Sequence, residues 1–318
     1  MADGNRDVAP VSSGAMTIMR LMLSVCAAAI NAPGCTTVAN TSIRYRWSIH
    51  KGCLLSQSNQ NYKLNSEHLI SPCRVPNFGY PLVAVGTHTM NKPEAFDEIY
   101  ARASERKGGH ERLESLLPEV LTPDELQQYA DAELLSAMSK QVFQSGFVWK
   151  VVEHKWPLYQ QAFFDFEPSK VLMLSPEQIQ QRAADPQLIR HLKKTQAIYD
   201  NAQMVREIAQ EHGSLARYIA LWPVEEIVGL WLQLKQRGAR LGGNTGPYFL
   251  RNIGKDTFLL TDDVKGYFKA HQLVDASFTS LSGLNQVQAV FNHWQQCSGR
   301  SMAQISRILS CSVGDNRI

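Results

Sequence analysis

From Met90 onward the apolar residues return every three or four positions almost without a break, and nothing in this region alternates as a half-buried strand would. In residues 93–107 the apolar side chains at 95, 96, 99, 100 and 103 form one helical stripe, which Gly108-Gly109 stops. Thr122-Pro123-Asp124-Glu125 reads as a helix start, with Thr122 as N-cap, Pro123 at the first position and Glu125 placed for a capping box. Residues 134–143 are amphipathic, Gly146 interrupts them, and 147–156 resume as a strongly apolar segment. Pro157, Pro168, Pro176 and Pro186 then punctuate short helices, and Asp185-Pro186 opens a longer one running to about Glu211. Residues 224–237 lead into a glycine-rich turn, and 264–271, 284–297 and 302–310 close the pattern. The fold class expected is all-α.

Residues 1–89 differ: they are rich in Ser, Asn, Thr and Gly, carry few acids and show no sustained period. The stretch 16–35 faintly resembles a signal peptide ending at Cys35, but its apolar run is too short to span a bilayer. The other readings are a disordered tail, or upstream sequence ahead of a true start at Met90. The expected organisation is therefore an extension over 1–89 and a helical domain over 90–318.

Net charge is +3, too small to define a partner by itself. Local charge says more. Between Lys235 and Lys255 lie five basic residues (Lys235, Arg237, Arg240, Arg251, Lys255) and no acid, around glycines at 238, 242, 243 and 246. Such a turn lets backbone approach a ligand closely, and Asn244 and Thr245 can open a helix whose first amides face an anion. By itself a glycine-rich helix connection marks only a tight turn. No βαβ unit precedes LGGNTG, so it is a poor dinucleotide fingerprint. The six cysteines contain no CxxC pair, which excludes a zinc cage or disulfide framework on pattern and suits a reducing compartment.

Two further groups could carry chemistry. Asp262 and Asp263 follow the apolar Phe258-Leu259-Leu260; they fit an N-cap and its neighbour, or a carboxylate that steadies a developing oxocarbenium ion and guides a water. Trp149 follows the break at Gly146, among Phe143, Phe147 and Trp156. Aromatics this dense usually form core, yet the break could open a slot for a flat base, stacked on Trp149 and hydrogen-bonded by Gln141 or Gln144.

Three motifs, in order, resemble the DNA-3-methyladenine glycosylase I family of the helix-hairpin-helix glycosylase superfamily: QVFQSGFVWKVV (141–152), DPQLIRHLKKTQAIYDNA (185–202) and LKQRGARLGGNTGPY (234–248). The resemblance runs from about Phe96 to Val274. It implies a two-lobed helical enzyme, a monomer in the cytoplasm at the nucleoid, that flips an alkylated adenine from double-stranded DNA and hydrolyses its N-glycosidic bond, with no membrane contact and no cofactor. It implies a base pocket of Trp149, Gln141, Gln144 and Phe143. DNA-binding residues would be Arg237, Gly238, Arg240, Gly242, Gly243, Asn244, Thr245, Arg251 and Lys255. The catalytic aspartate would be Asp263, with Asp262 as fallback.

Asn244 stands where bifunctional relatives carry a Schiff-base lysine, so the mechanism expected is monofunctional. The family's pocket glutamate aligns with Gln141, a neutral amide. The Cys and His ligands of zinc-bearing members have no counterpart in DASFTSLSG after Val274, so no metal is expected. The chief alternative is a catalytically silent DNA-binding or damage-sensing module.

Overall fold

The computed structural model describes residues 91–314, and the expectations for 1–89 lie outside them. Among the described residues every regular element is helical. The first four are α1 (Phe96–Arg106), α2 (His110–Glu114), α3 (Pro123–Leu126) and α4 (Asp131–Gln144). Next come α5 (Trp149–Ala162), α6 (Pro168–Val171), α7 (Pro176–Ala184) and α8 (Leu192–His212). The chain continues with α9 (Leu215–Leu221), α10 (Ile227–Arg237) and α11 (Thr245–Asn252), then α12 (Asp262–Ala270), α13 (Leu281–Ser298) and α14 (Met302–Ser312).

Local chemistry sets many of the boundaries. At α3 the Thr122 hydroxyl accepts from Glu125 N at 3.3 Å and the Glu125 carboxylate accepts from Thr122 N at 2.8 Å, the reciprocal cap the sequence predicts. Ser175 forms the same reciprocal cap at α7, while the hydroxyls of Ser214, Ser280 and Ser301 accept from backbone amides at the starts of α9, α13 and α14.

Two expectations fail at prolines. Asp185-Pro186 does not open the long helix: the Asp185 carboxylate accepts from Gln187 N at 2.8 Å in a tight turn, and α8 begins only at Leu192, capped by the His191 ring. The delay has a tertiary cause, since the buried Tyr159 hydroxyl accepts from Ile189 N at 3.1 Å and donates to Ile189 O at 3.2 Å. Pro157 does not punctuate either; it lies inside α5 on the exposed face, and the helix runs on to Ala162.

The apolar stripes meet in an aromatic-rich core. Trp156, Tyr159, Phe163 and Phe166 stack in sequence, with Trp156 and Phe166 5.3 Å apart and 10° from parallel. Phe143 closes on this group from α4, 4.8 Å from Tyr159. A second group gathers Phe258, Phe268, Phe291 and Trp294, with the Phe258 and Phe291 rings 4.4 Å apart. Each fully buried ring contributes about 1.5–3 kcal/mol of apolar transfer. α4 packs on α8 and on α11, which brings the end of α4 beside the helix that follows the glycine turn.

Candidate functional site

The C-terminal end of α4 is fixed by a lysine. Lys194, buried on α8, donates from Nζ to Val142 O at 2.6 Å and Phe143 O at 3.2 Å, meeting carbonyls that the last helical turn leaves open. Burial first, and the Arg240 guanidinium second, hold its pKa below the usual lysine range. Gly146 lies against this ammonium: a Cβ there would come within 3.2 Å of Nζ. Next along the chain, α5 starts at Trp149.

Trp149 is 48% exposed, so it is not core. Its ring meets Tyr248 of α11 edge to face, with centroids 6.2 Å apart at 89°. One helical turn further along α11, Asn252 Nδ2 donates to Gln141 Oε1 at 2.9 Å. Two α11 residues at i, i+4 therefore each touch one of the side chains the sequence picks for a base pocket. Gln141 and Gln144, themselves one turn apart on α4, are 3% and 7% exposed. The Gln141 oxygen is the end of that amide engaged by Asn252. Phe143 is different: it is fully buried against Tyr159, Trp156 and Phe147, and serves packing.

The glycine turn is clamped from beneath. Asn201, fully buried on α8, accepts from Ala239 N at 2.7 Å and donates to Ala239 O at 3.2 Å. Gly238 is obligatory because a Cβ would lie 2.6 Å from Leu241 Cδ1 and 2.8 Å from Leu234 O. Gly243 takes a left-handed φ of 62° with open space around it. Asn244 precedes α11 as expected, but its side chain does not cap that helix; Nδ2 donates to Leu260 O at 3.1 Å. Thr245 is the first residue of α11, and its amide donates to Gly242 O at 3.3 Å. The amides of Gly242, Gly243 and Asn244 donate to no acceptor among the described residues.

The basic collar is smaller than the sequence suggests. Arg240 is exposed, but Arg237 is held by Glu211 through two hydrogen bonds of 2.9 Å. Arg251 and Lys255 turn inward, which corrects the expectation that they meet a polyanion. Arg251 donates to Thr257 O and to Ser306 Oγ, and burial brings its pKa down to about 10. Lys255, 3% exposed, donates to Trp222 O at 2.7 Å and Ala220 O at 3.3 Å, and burial brings it to about 8. Both neutralise carbonyls that would otherwise be buried bare.

The aspartates stand elsewhere. Thr261, not Asp262, is the N-cap of α12. Asp262 is fully solvent-facing, 3.5 Å from Lys265. Asp263 accepts from Ser310 Oγ at 3.1 Å and edges a crevice of about 300 Å³ with Tyr267, His271, Val313 and Gly314. Neither Trp149 nor Gln141 lines that crevice. Among the described residues no group of three or more His, Cys, Asp or Glu side chains gathers as a metal would need, and no helix is long and apolar enough to cross a membrane.

The sequence missed Tyr248 and Asn252. Their only local signal is the i, i+4 spacing on α11; their partners lie about a hundred residues upstream, Asn252 being 111 positions from Gln141.

A helical domain that sets a half-exposed indole and two largely buried glutamines beside the helix that follows a glycine-rich turn is the class of molecule these residues build. Within that class, residues 126–243 match the family model described as methyladenine glycosylase. Tyr248, Asn252 and Asp263 fall beyond the matched span. No curated protein matches the chain. Among solved structures, a variant of 3-methyladenine DNA glycosylase I in complex with 3-methyladenine is 24% identical over 46% of this chain and 87% of that one, with a TM-score of 0.37. A glutamate-to-glutamine mutant of the Staphylococcus aureus enzyme is 25% identical over 45% of this chain and 83% of its own, with a TM-score of 0.37. A further Staphylococcus aureus structure, described as the basis of 3-methyladenine recognition, is 25% identical over 43% and 80%, again with a TM-score of 0.37.

Proposed function

We propose that the protein is a monofunctional DNA glycosylase that flips alkylated purines, chiefly 3-methyladenine, out of duplex DNA and hydrolyses their N-glycosidic bond. The observation that carries this reading is the seating of Trp149 on Tyr248 and of Gln141 on Asn252, within a chain whose residues 126–243 match the methyladenine glycosylase family. The indole offers a stacking face and the amides offer hydrogen bonds to an extruded base. N3 alkylation places positive charge on the base and weakens the bond to sugar, so modest activation suffices. The turn at 238–246 acts as the helix-hairpin-helix clamp, through the free amides of Gly242, Gly243 and Asn244 and the guanidinium of Arg240. With Asn244 in place of a lysine the chemistry is hydrolysis without a Schiff base. Asp263 is the proposed carboxylate for the oxocarbenium ion. The test is release of free 3-methyladenine from methylated duplex DNA by the purified protein; intact DNA binding with no base released sinks the reading.

A second reading, a silent DNA-binding module, draws on one observation: Asp263 shares its crevice with Tyr267 and Gly314 and with neither Trp149 nor Gln141. An excision rate left unchanged by Asp263→Asn removes Asp263 from the mechanism, and absence of excision in the unaltered protein favours the module.

A further inference from the structure

Three stretches of the chain, 134–152, 186–199 and 227–255, carry no acid. The fold brings them together around Lys194. Its ammonium donates to Val142 O, lies 5.0 Å from the Phe147 ring centroid and feels the charge of Arg240. Farther along the same helix, Asn201 clamps Ala239 beside Arg240. The connection between α4 and α5 crosses this region: Phe147 meets His191 at the start of α8, with ring centroids 6.0 Å apart, and Trp149 meets Tyr248 of α11. The proposed base slot at Trp149 is therefore bordered by the start of α8 on one side and by the glycine turn with α11 on the other.

The turn presents Arg240, and the start of α8 presents Arg190 and Lys193, both exposed. Among the described residues none of the three is in an ion pair, whereas Arg102, Arg237, Lys265 and Arg300 are each held by a carboxylate. Like charges gathered without acids repel one another, and a polyanion relieves that repulsion. Lys193 and Asn201 stand about 12 Å apart along α8, at ~1.5 Å per residue, farther than one phosphate group extends, so the two basic groups reach separate phosphates. We propose that Arg190 and Lys193 form a second DNA-backbone contact, holding the phosphates on the side of the extruded nucleotide opposite to those held by the glycine turn. This deepens the glycosylase reading and rests on it. Phosphate contacts position the duplex without reading sequence, and a grip on both flanks keeps the strand fixed while one nucleotide leaves the stack.

The test measures binding to a duplex that carries a single tetrahydrofuran abasic analogue, over a range of salt concentrations. Replacing both residues, Arg190→Gln with Lys193→Gln, lowers the slope of log K against log salt by about 2, and each single change lowers it by about 1. Arg112→Ala, an exposed arginine of α2 between Glu111 and Glu114, leaves the slope alone. Neutral methylphosphonate linkages then locate the contacts: in the unaltered protein they weaken binding on either flank of the analogue. The double variant loses that sensitivity on one flank and Arg240→Ala loses it on the other. A slope within about 0.5 of the parent for the double variant, or loss of sensitivity on the same flank in both variants, overturns the inference. If the double variant loses its helical circular dichroism, the two single variants decide by the same measurements. Failure of the unaltered protein to release 3-methyladenine from methylated DNA, with both flanks still sensitive, sinks the glycosylase reading alone; no binding to duplex DNA overturns both.

Discussion

Asn201 holds both backbone groups of Ala239: its side-chain oxygen accepts from Ala239 N at 2.7 Å while its side-chain nitrogen donates to Ala239 O at 3.2 Å. The glycine turn therefore owes its shape to an amide on a helix 38 residues upstream. Asn201→Leu strips both bonds from buried peptide groups and costs about 2–3 kcal/mol. Urea unfolding measures the loss, and a change below 1 kcal/mol would contradict the clamp.

Lys194 plays the equivalent part at the end of α4. Lys194→Met keeps the apolar stem but removes the ammonium donor to Phe143 O and one of the two side-chain donors to Val142 O, which keeps the Ser145 hydroxyl, at a cost of about 1–3 kcal/mol. Amide hydrogen exchange should accelerate first from Ser145 to Val148, around the connection the ammonium supports. Uniform acceleration over the whole domain would show that the lysine holds no local element.

Trp149 and Phe143 should separate function from stability. Trp149 is half-exposed, so Trp149→Ala leaves unfolding within about 1 kcal/mol of the parent yet weakens binding of free 3-methyladenine by about tenfold or more. Phe143→Ala does the reverse, destabilising by about 3–5 kcal/mol because the side chain is fully buried. Isothermal calorimetry and denaturant melts on the two variants check the contrast.

The collar makes a salt-dependence prediction. Arg240→Ala should lower the slope of log K against log salt for duplex DNA by about 1, since the proposed clamp sets this exposed guanidinium against a phosphate. Arg251→Met should leave the slope alone and lower stability instead, because Arg251 donates to Thr257 O and Ser306 Oγ inside the protein. Equal slopes for parent and Arg240→Ala would remove Arg240 from the interface.

Glu94 predicts an acid transition. Its carboxylate receives Arg102 at 2.8 Å and the Tyr267 hydroxyl at 2.5 Å, and the Arg102 hydrogen bond leads in lowering its pKa from 4.5 to about 2. A depressed carboxylate contributes stability above the unfolded-state pKa, and that contribution is lost as pH falls from about 4.5 to about 2. Discounted for the partly exposed Arg102, it amounts to about 1–2 kcal/mol. Glu94→Gln should flatten the pH dependence of stability in that window; an unchanged profile would assign the acid sensitivity elsewhere.

What could be read from the sequence was what is local. The cap at Thr122, the break at Gly146 and the all-helical pattern depend on neighbours a few residues apart, and they stand in the structure. The start of α8 could not be read, because Tyr159 draws residues 185–191 into a turn that Asp185-Pro186 alone does not reveal. Arg251 and Lys255 looked like part of a charged surface, since sequence shows charge but not which carbonyls it will face. At the site, motif spacing picked out Trp149 and Gln141. Tyr248 and Asn252, on which they sit, become neighbours only when α4 and α11 pack together.

The packing of α1 against α14 sets a condition on how the domain is made. Arg106 at the end of α1 donates to Cys311 O and Gly314 O, and Trp294 of α13 donates to Glu94 O at 3.0 Å, 200 positions away. During synthesis at roughly 5–20 residues per second, the first helix of this domain must wait on the order of ten seconds or more with its apolar stripe of Phe96, Ile99 and Ala103 uncovered. Native closure of these contacts is thus postponed until α13 and α14 have been made. A nascent chain lacking α13 and α14 is the species most exposed to chaperone capture or aggregation.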